Sequence, residues 1–205
     1  QDREVLERVN ACYRWAREMG DPLVGFYTEV MPGCGQYLIR PGNHVEICEV
    51  ADMTCLALYL TRAGAGDYWD DVDRWVRNML TEGQMTNTSF YNQIPENYFK
   101  HMEPDKKDEQ DVLDRSVGSF FGWMRANDAF RILGSSEGPK IESPSIMHCC
   151  TGNGARTLYY VWVSIVTKEE KLVRVNLLLK RASQWVDVDS YLPVEGKVVL
   201  HIKDA

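Results

Sequence analysis

Apolar positions at intervals of three and four dominate the first two-thirds of the chain. Val5, Leu6, Val9, Cys12, Tyr13 and Ala16 repeat at helical spacing and predict an amphipathic helix over residues 2–19, ended by Gly20 and Asp21-Pro22. The breakers Met31-Pro32-Gly33-Cys34-Gly35 and Arg40-Pro41-Gly42-Asn43 mark a long ordered loop. Met53, Leu56, Ala57 and Leu60 carry a second helix from about Glu49 to the Gly64-Ala65-Gly66 break. Asp67 is the expected N-cap of a third, with Trp69, Val72, Trp75, Val76, Met79 and Leu80 facing inward and Asp70, Asp71, Asp73, Arg74 and Arg77 outward. The pair reads as a helical hairpin and its tryptophans as core.

The middle of the chain is less periodic. Residues 84–100 show no clear repeat, and 101–115 read as an acidic, solvated excursion. The apolar run through Phe120, Phe121, Trp123, Met124, Ala129, Phe130 and Leu133 leans to helix in part, and residues 134–144 to loop. After His148-Cys149-Cys150-Thr151-Gly152-Asn153-Gly154 an apolar helix is expected over about 155–166, with Leu158, Tyr159, Trp162, Val163 and Val166 inward. The period then changes from 3.6 to 2. Residues 172–179, 184–192 and 197–203 alternate, are β-branched and are separated by turn material such as Glu195-Gly196. The switch sets a boundary near residue 168. It predicts a mainly α fold with C-terminal β, helices first and then sheet, as two packed units rather than alternating α/β.

Composition narrows the function classes. A length of 205 residues with 44% hydrophobic and 26% charged residues suits one or two globular units and argues against disorder. The net charge of −7, with no basic stripe, removes the electrostatic drive for nucleic acid or an anionic membrane, so neither is an expected partner. No run is long and apolar enough for a membrane span, and the first residues lack the pattern of a signal peptide. A start at Gln1 and an end at Ala205, just after a strand, read as a processed chain or a fragment.

Six cysteines do not suit a disulfide framework. Cys48 and Cys55 sit seven apart in a helical pattern, about 10 Å along the axis, and Cys149 and Cys150 are adjacent. Reduced thiols in a reducing, cytoplasm-like compartment are the expectation. Two groups at loop-to-helix junctions stand out, Glu46-Ile47-Cys48 and Cys149-Cys150. Three thiolates and one carboxylate are a sufficient tetrahedral set for zinc, although small buried thiols explain the same residues. Glu46 and Cys48 can chelate together only if the backbone there is extended or turning into a helix. Ahead of a helix N-terminus, Cys149 would feel the positive end of the dipole, and a metal would deprotonate it outright. Physics alone prefers a closed, structural zinc site, because catalytic zinc normally keeps an open position.

Four stretches, His44–Met53, Gly66–Leu80, His148–Tyr160 and Val173–Ile202, in that order resemble the β-L-arabinofuranosidases of glycoside hydrolase family 127. The most specific parts are the Glu-x-Cys followed about a hundred residues later by Cys-Cys, and the Val-Asn-Leu strand with its Pro-x-x-Gly-Lys-Val turn. The resemblance covers most of residues 20–205. It implies an (α/α)6 barrel followed by a β-sandwich, here the later part of the barrel over residues 1–168 and the first strands of the sandwich over 169–205. It further implies Zn2+ held by Glu46, Cys48, Cys149 and Cys150, with Cys149 the nucleophile of a retaining hydrolysis of an oligosaccharide or other glycoside. The family's acid/base glutamate falls by offset on Val30, within a segment that departs from the family pattern. Glu29 is the nearest carboxylate, and a loop shifted by one residue would present it in that role; the alternatives are another acid, a different substrate or an inactive member.

His44, His148 and Arg156 are candidate sugar contacts. The histidines could equally serve beside the ligands or in the structure, and Arg156 could equally pair with a surface carboxylate. Tyr91, Tyr98 and Trp123 could stack on sugars but suit core packing better, and Asn87-Thr88-Ser89 fits a glycosylation sequon. Two rival functions remain: a non-catalytic carbohydrate-binding or scaffold protein with a structural Cys3Glu zinc site, and a sugar isomerase or epimerase. The latter would want converging histidines, and the chain has four in all.

Overall fold

The computed structural model describes residues 2–21, 23, 25, 45–89, 111–124, 131–135, 138–142 and 146–203. Helices and short strands are mixed among them, and the strands pair into four two-stranded sheets. Helix α1 (Arg3–Glu18) starts where the Asp2 carboxylate accepts from the amides of Glu4 and Val5, satisfying two of the free N–H groups of its first turn. The expected apolar stripe of α1 is only partly covered: Tyr13 is buried, Leu6 and Ala16 pack on the core, and Val5, Val9 and Cys12 stay exposed.

Helix α2 (Ile47–Arg62) is the centre of the molecule. Its Val50, Ala51, Ala57, Leu58 and Leu60 are buried against α1, α3 (Trp69–Trp75), the π-helical turn Val76–Leu80 and α5 (His148–Ile165). The hairpin of α2 and α3 forms as expected, but α3 begins at Trp69, and Asp67 lies one residue too early to be its cap. Its Oδ1 still accepts from the Trp69 amide at 3.4 Å. One expectation for α3 is overturned. Asp71 belongs to the core, 1% exposed, and accepts from the Tyr13 hydroxyl at 2.7 Å, from Arg17 Nε at 2.7 Å and from Arg74 Nη1 at 3.3 Å. A charge can be buried there because every partner of opposite character is already in place.

Helix α5 starts at His148, seven residues before the expected start, so the Cys149-Cys150 pair belongs to its first turn. Gly152 and Gly154 are poor helix formers and disguise that turn in the sequence. Packing overrides them: a Cβ on Gly154 would stand 2.7 Å from the buried Phe120 ring, so only glycine lets the helix approach so closely. The contacts between α2 and α5 keep nearly the same sequence separation along both helices, from Cys48 and Cys150 through Cys55 and Thr157 to Arg62 and Ser164. The two helices therefore run parallel, with their N-termini at the same end.

The segment read as part helix and then loop contains β2 (Trp123–Met124), which pairs with β1 (Val45–Glu46), and a hairpin of β3 (Arg131–Ser135) and β4 (Gly138–Glu142). Gly134 faces Pro139 in that hairpin. Among the described residues both strands are edges, where proline is tolerated, so the breakers that suggested a loop do not prevent pairing. In the excursion, residues 101–110 lie outside the described residues, and α4 (Val112–Arg115) is a single short turn.

Helix α5 passes directly into β5 (Val166–Glu169), which pairs with β6 (Leu172–Val175); β7 (Val186–Ser190) pairs with β8 (Val198–Ile202). The expected change of period is thus present at residue 166. Strands also occur earlier in the chain. The hydrophobic core runs across the change, since Val166, Leu177, Val186 and Val188 belong to one cluster with α2, α3 and α5. The C-terminal carbonyls of α5 are received by cations and amides: Arg181 Nη1 donates to Trp162 O and Val166 O, and Asn176 Nδ2 to Ser164 O. No helix among the described residues is long and apolar enough to cross a membrane.

Candidate metal centre

The first half of the site is a strand that turns into a helix. Glu46 pairs with Trp123 across β1 and β2, with extended backbone (φ −87°, ψ 127°), and the next residue begins α2. The Ile47 amide donates to Gly122 O at 3.0 Å, which pins the turn to the neighbouring strand. This meets the condition under which Glu46 and Cys48, two residues apart, can point to one place. The second half is the first turn of α5. It is anchored by the Phe120 amide on Thr151 Oγ1 at 3.0 Å and by the Thr151 amide on Met147 O at 2.9 Å.

These anchors bring the four expected donors together. The ligand atoms of Glu46, Cys48, Cys149 and Cys150 all lie within 4.8 Å of one another. Cys149 Sγ and Cys150 Sγ are 3.9 Å apart, as are Cys150 Sγ and Glu46 Oε1. A tetrahedral ion of zinc size, with bonds of about 2.3 Å to sulfur and about 2.0 Å to oxygen, sets two sulfurs about 3.8 Å apart and a sulfur and an oxygen about 3.5 Å apart, so the first spacing fits and the second would close by about 0.4 Å. Cys48 Sγ and Cys150 Sγ are closer, at 3.2 Å, and would open by about half an ångström around such an ion. The four residues are thus close enough to hold a metal ion.

The surroundings favour negative charge at this end. Because α2 and α5 are parallel, the positive ends of both helix dipoles face the cluster, where each favours an anion by about 0.3–1 kcal/mol. Burial works the other way. It pushes the Cys48 thiol up, against hydrogen bonds to Cys150 and Asn153 that lower it, and it pushes Cys150 up further, reinforced by the bond with Cys48. The buried Cys150 and half-buried Cys48 thiols are thus both biased toward the protonated form, and a bound metal would displace their protons. Exposure is graded across the set: Cys150 is buried, Glu46 and Cys48 are half-buried, and Cys149 is exposed.

The other candidates are distributed differently. His148 is exposed at the first position of α5, beside Cys149. Arg156 donates to Asp52 on α2 at 3.1 Å, which is the surface pairing rather than a contact to the donors. Cys55 is buried against Thr157 Oγ1 at 3.3 Å, and the described cysteines, including Cys12, are free thiols. Trp123 lies in β2 opposite Glu46. Glu29, Cys34, His44, Tyr91 and Tyr98 lie outside the described residues. Sequence reasoning missed two neighbours of the cluster, the Asn153 side chain on Cys48 and the Gly122 carbonyl 3.9 Å from Cys150 Sγ. Asn153 follows Cys149 by four positions, one helical turn, and that spacing was the available signal once the helix was known to start at His148. No family model, no curated protein and no solved structure matches the chain.

Proposed function

We propose that the chain carries the metal-binding part of a zinc-dependent retaining glycosidase of the β-L-arabinofuranosidase type, with residues 1–168 the later part of an (α/α)6 barrel and 169–205 the first strands of a β-sandwich. The observation that carries this reading is the convergence of Glu46, Cys48, Cys149 and Cys150, with Cys149 alone exposed. Three sulfurs and one carboxylate suit zinc better than a hard cation such as calcium or magnesium. The parallel course of α2 and α5 supports the barrel, because neighbouring inner helices of such a ring run the same way.

Bound zinc would keep the cysteines ionised and offset part of their charge. Cys149 Sγ attacks the anomeric carbon while the bond to the leaving oxygen breaks, and that oxygen takes a proton from a carboxylic acid, the role assigned to Glu29. The sugar is then held by a carbon–sulfur bond. Water gives a proton to the same carboxylate and displaces the sulfur from the opposite face, so two inversions retain the configuration. In this reading His148, beside the nucleophile in sequence, contacts the sugar, and His44 takes a like role, assigned from its place in the sequence alone.

The competing reading is a structural zinc site in a scaffold protein, favoured by the fact that four donors leave no position open. Metal analysis and alkylation separate the two. The glycosidase reading expects about one zinc per chain, alkylation of Cys149 without chelator, protection of that thiol by an arabinofuranoside, and loss of hydrolysis with zinc retained in Cys149→Ser. A Cys149 thiol inert until a chelator unfolds the protein sinks it in favour of the scaffold. A well-folded protein without metal sinks both.

A further inference from the structure

The donor set contains a thiol pair with a second chemistry open to it. Cys48 Sγ and Cys150 Sγ stand 3.2 Å apart, between two arrangements that exclude each other. A tetrahedral ion of zinc size would spread them to about 3.8 Å, and a sulfur–sulfur bond would draw them to about 2.05 Å. Bridging therefore needs about 1.2 Å of closure, shared between two side chains at the starts of two helices. The helices are already held at a bridging separation. About two turns further on, Cys55 Sγ meets Thr157 Oγ1 at 3.3 Å, and Thr157 Oγ1 donates to Ala51 O at 3.4 Å.

The adjacent pair is less suited. Cys149 Sγ and Cys150 Sγ are 3.9 Å apart, but the two residues are neighbours in the first turn of α5. A trans peptide holds their Cα atoms about 3.8 Å apart, short of the roughly 4.4 Å at which disulfides begin. Of the other described cysteines, Cys12 is exposed on α1 and Cys55 is buried beside Thr157, and neither belongs to the cluster.

We propose that Cys48 and Cys150 are a redox-sensitive pair, which a hydroperoxide oxidises to a disulfide with release of the metal ion. This regulation rests on the metal-site reading given above. Cys48 is the half-buried member of the pair and the one a small oxidant reaches first. Its sulfur takes one oxygen of hydrogen peroxide as the O–O bond breaks, the other oxygen leaves as water, and Cys48 becomes a sulfenic acid. The Cys150 sulfur attacks that sulfur, the S–O bond breaks, and the hydroxyl leaves as a second water. The two sulfurs together lose two electrons, and the peroxide gains them. In the metal-free chain the two protons consumed are those of the thiols; in the metal-bound chain, where the thiols are ionised, they come from solvent and the ion departs as a dication. Only Glu46 and Cys149 keep free donor atoms, too few for a tetrahedral site. The two helix starts stay joined, by a covalent bond in place of an ion, and a dithiol reverses the change.

Peroxide treatment of the whole chain, with and without zinc, tests the assignment after capping of free thiols with iodoacetamide and cleavage after glutamate. Cleavage at Glu46 and Glu49 isolates Cys48 in Ile47-Cys48-Glu49, and cleavage at Glu142 and Glu169 leaves Cys149 and Cys150 in one peptide. The metal-free chain is expected to lose about 2 Da, and the two peptides to become linked with the one cap on Cys149; dithiothreitol restores the thiols. In the zinc-loaded chain linkage is slower by about tenfold or more, and a chromophoric chelator records zinc release in step with it. Cys150→Ser should abolish the link and Cys149→Ser should keep it, while fragmentation of the wild-type linked peptide makes the same assignment whether or not the variants fold. Peroxide that leaves Cys48 and Cys150 open to capping and takes Cys149 to a sulfinic acid overturns the proposal, as does a link that Cys149→Ser removes. Zinc uptake is measured before oxidation. A chain that binds zinc and forms no link overturns the switch and leaves the metal reading standing, whereas a chain that links but never takes up zinc overturns the metal reading and the release step with it.

Discussion

Gly152 and Gly154 sit two residues apart in the same helix and offer a built-in control for packing. Each, changed to alanine, gains about 1 kcal/mol of helix propensity. At Gly152 the new Cβ meets nothing within 4 Å, so Gly152→Ala is expected to stabilise by close to that amount. At Gly154 the Cβ would lie 2.7 Å from both Cγ and Cδ1 of Phe120, roughly 1 Å inside ordinary carbon contact. Phe120 cannot swing aside, because it is fully buried and its backbone is bonded to Thr151 and Met147. Such overpacking costs about 1–3 kcal/mol, and since the propensity gain cancels between the two variants, their difference isolates it. Urea denaturation followed by circular dichroism measures that difference, with Gly154→Ala the less stable by about 1–3 kcal/mol. Metal affinity, by competition with a chromophoric chelator, should fall in Gly154→Ala, because displacing Phe120 moves Gly122 behind Cys150 and the turn at Ile47. Equal stabilisation by both substitutions would refute the claim that this close approach seats the first turn of α5.

Three further outcomes follow from the same contacts. Asp71→Ala should destabilise by about 2–4 kcal/mol, somewhat less than a fully buried pair because Arg17 is half exposed, and combination with Tyr13→Phe should cost less than the sum in chemical denaturation; strict additivity would contradict the shared network. Tyr13 and Cys55 are both held above their ordinary values, 10.0 and 9.0, chiefly by burial, and for Tyr13 also by Asp71. The folded chain therefore keeps protons that the unfolded chain releases. That stability is fully present below about pH 9 and is lost as pH rises beyond it, and Tyr13→Phe should flatten the decline of the urea midpoint between about pH 9 and 11; an unchanged slope counts against the buried phenol. Arg181, whose guanidinium lies 4.4 Å from the Trp162 ring centre and bonds two carbonyls at the end of α5, should cost about 1–3 kcal/mol on Arg181→Leu in thermal melts. A neutral result would remove it as a cap.

The helices that were legible are those whose own residues argue for them. Met53, Leu56, Ala57 and Leu60 of α2, and Val72, Val76 and Met79 of α3 and its π-helical turn, have the period, and no glycine or proline interrupts either run. The start of α5 was hidden because its seven opening residues include Thr151, Gly152, Asn153 and Gly154, and the contact that seats them is with Phe120, 31 residues from Thr151 in sequence. The hairpin over residues 131–142 was hidden by Gly134 and Pro139, which are harmless at an edge. Asp71 was misplaced because charge at helical spacing reads as solvent-facing until Tyr13 and Arg17 of a different helix are known to reach it. The donor set itself was visible as residue types. Its convergence was not, because it depends on β1 and β2 pairing and on α2 and α5 running in parallel.

That parallel course has a consequence for how the molecule assembles. Two parallel neighbours need a connection that travels back the length of a helix, and here the path from Cys48 to Cys150 is 102 residues long. An ion joining the two helix starts closes a loop of that size, and by the loop-entropy account such a closure restrains the unfolded chain by about 4–5 kcal/mol. The half-sites, Glu46 with Cys48 and Cys149 with Cys150, each hold only two donors until the chain between them has come together. Metal capture by the full set would thus be a late event, reporting completed assembly and then opposing its reversal.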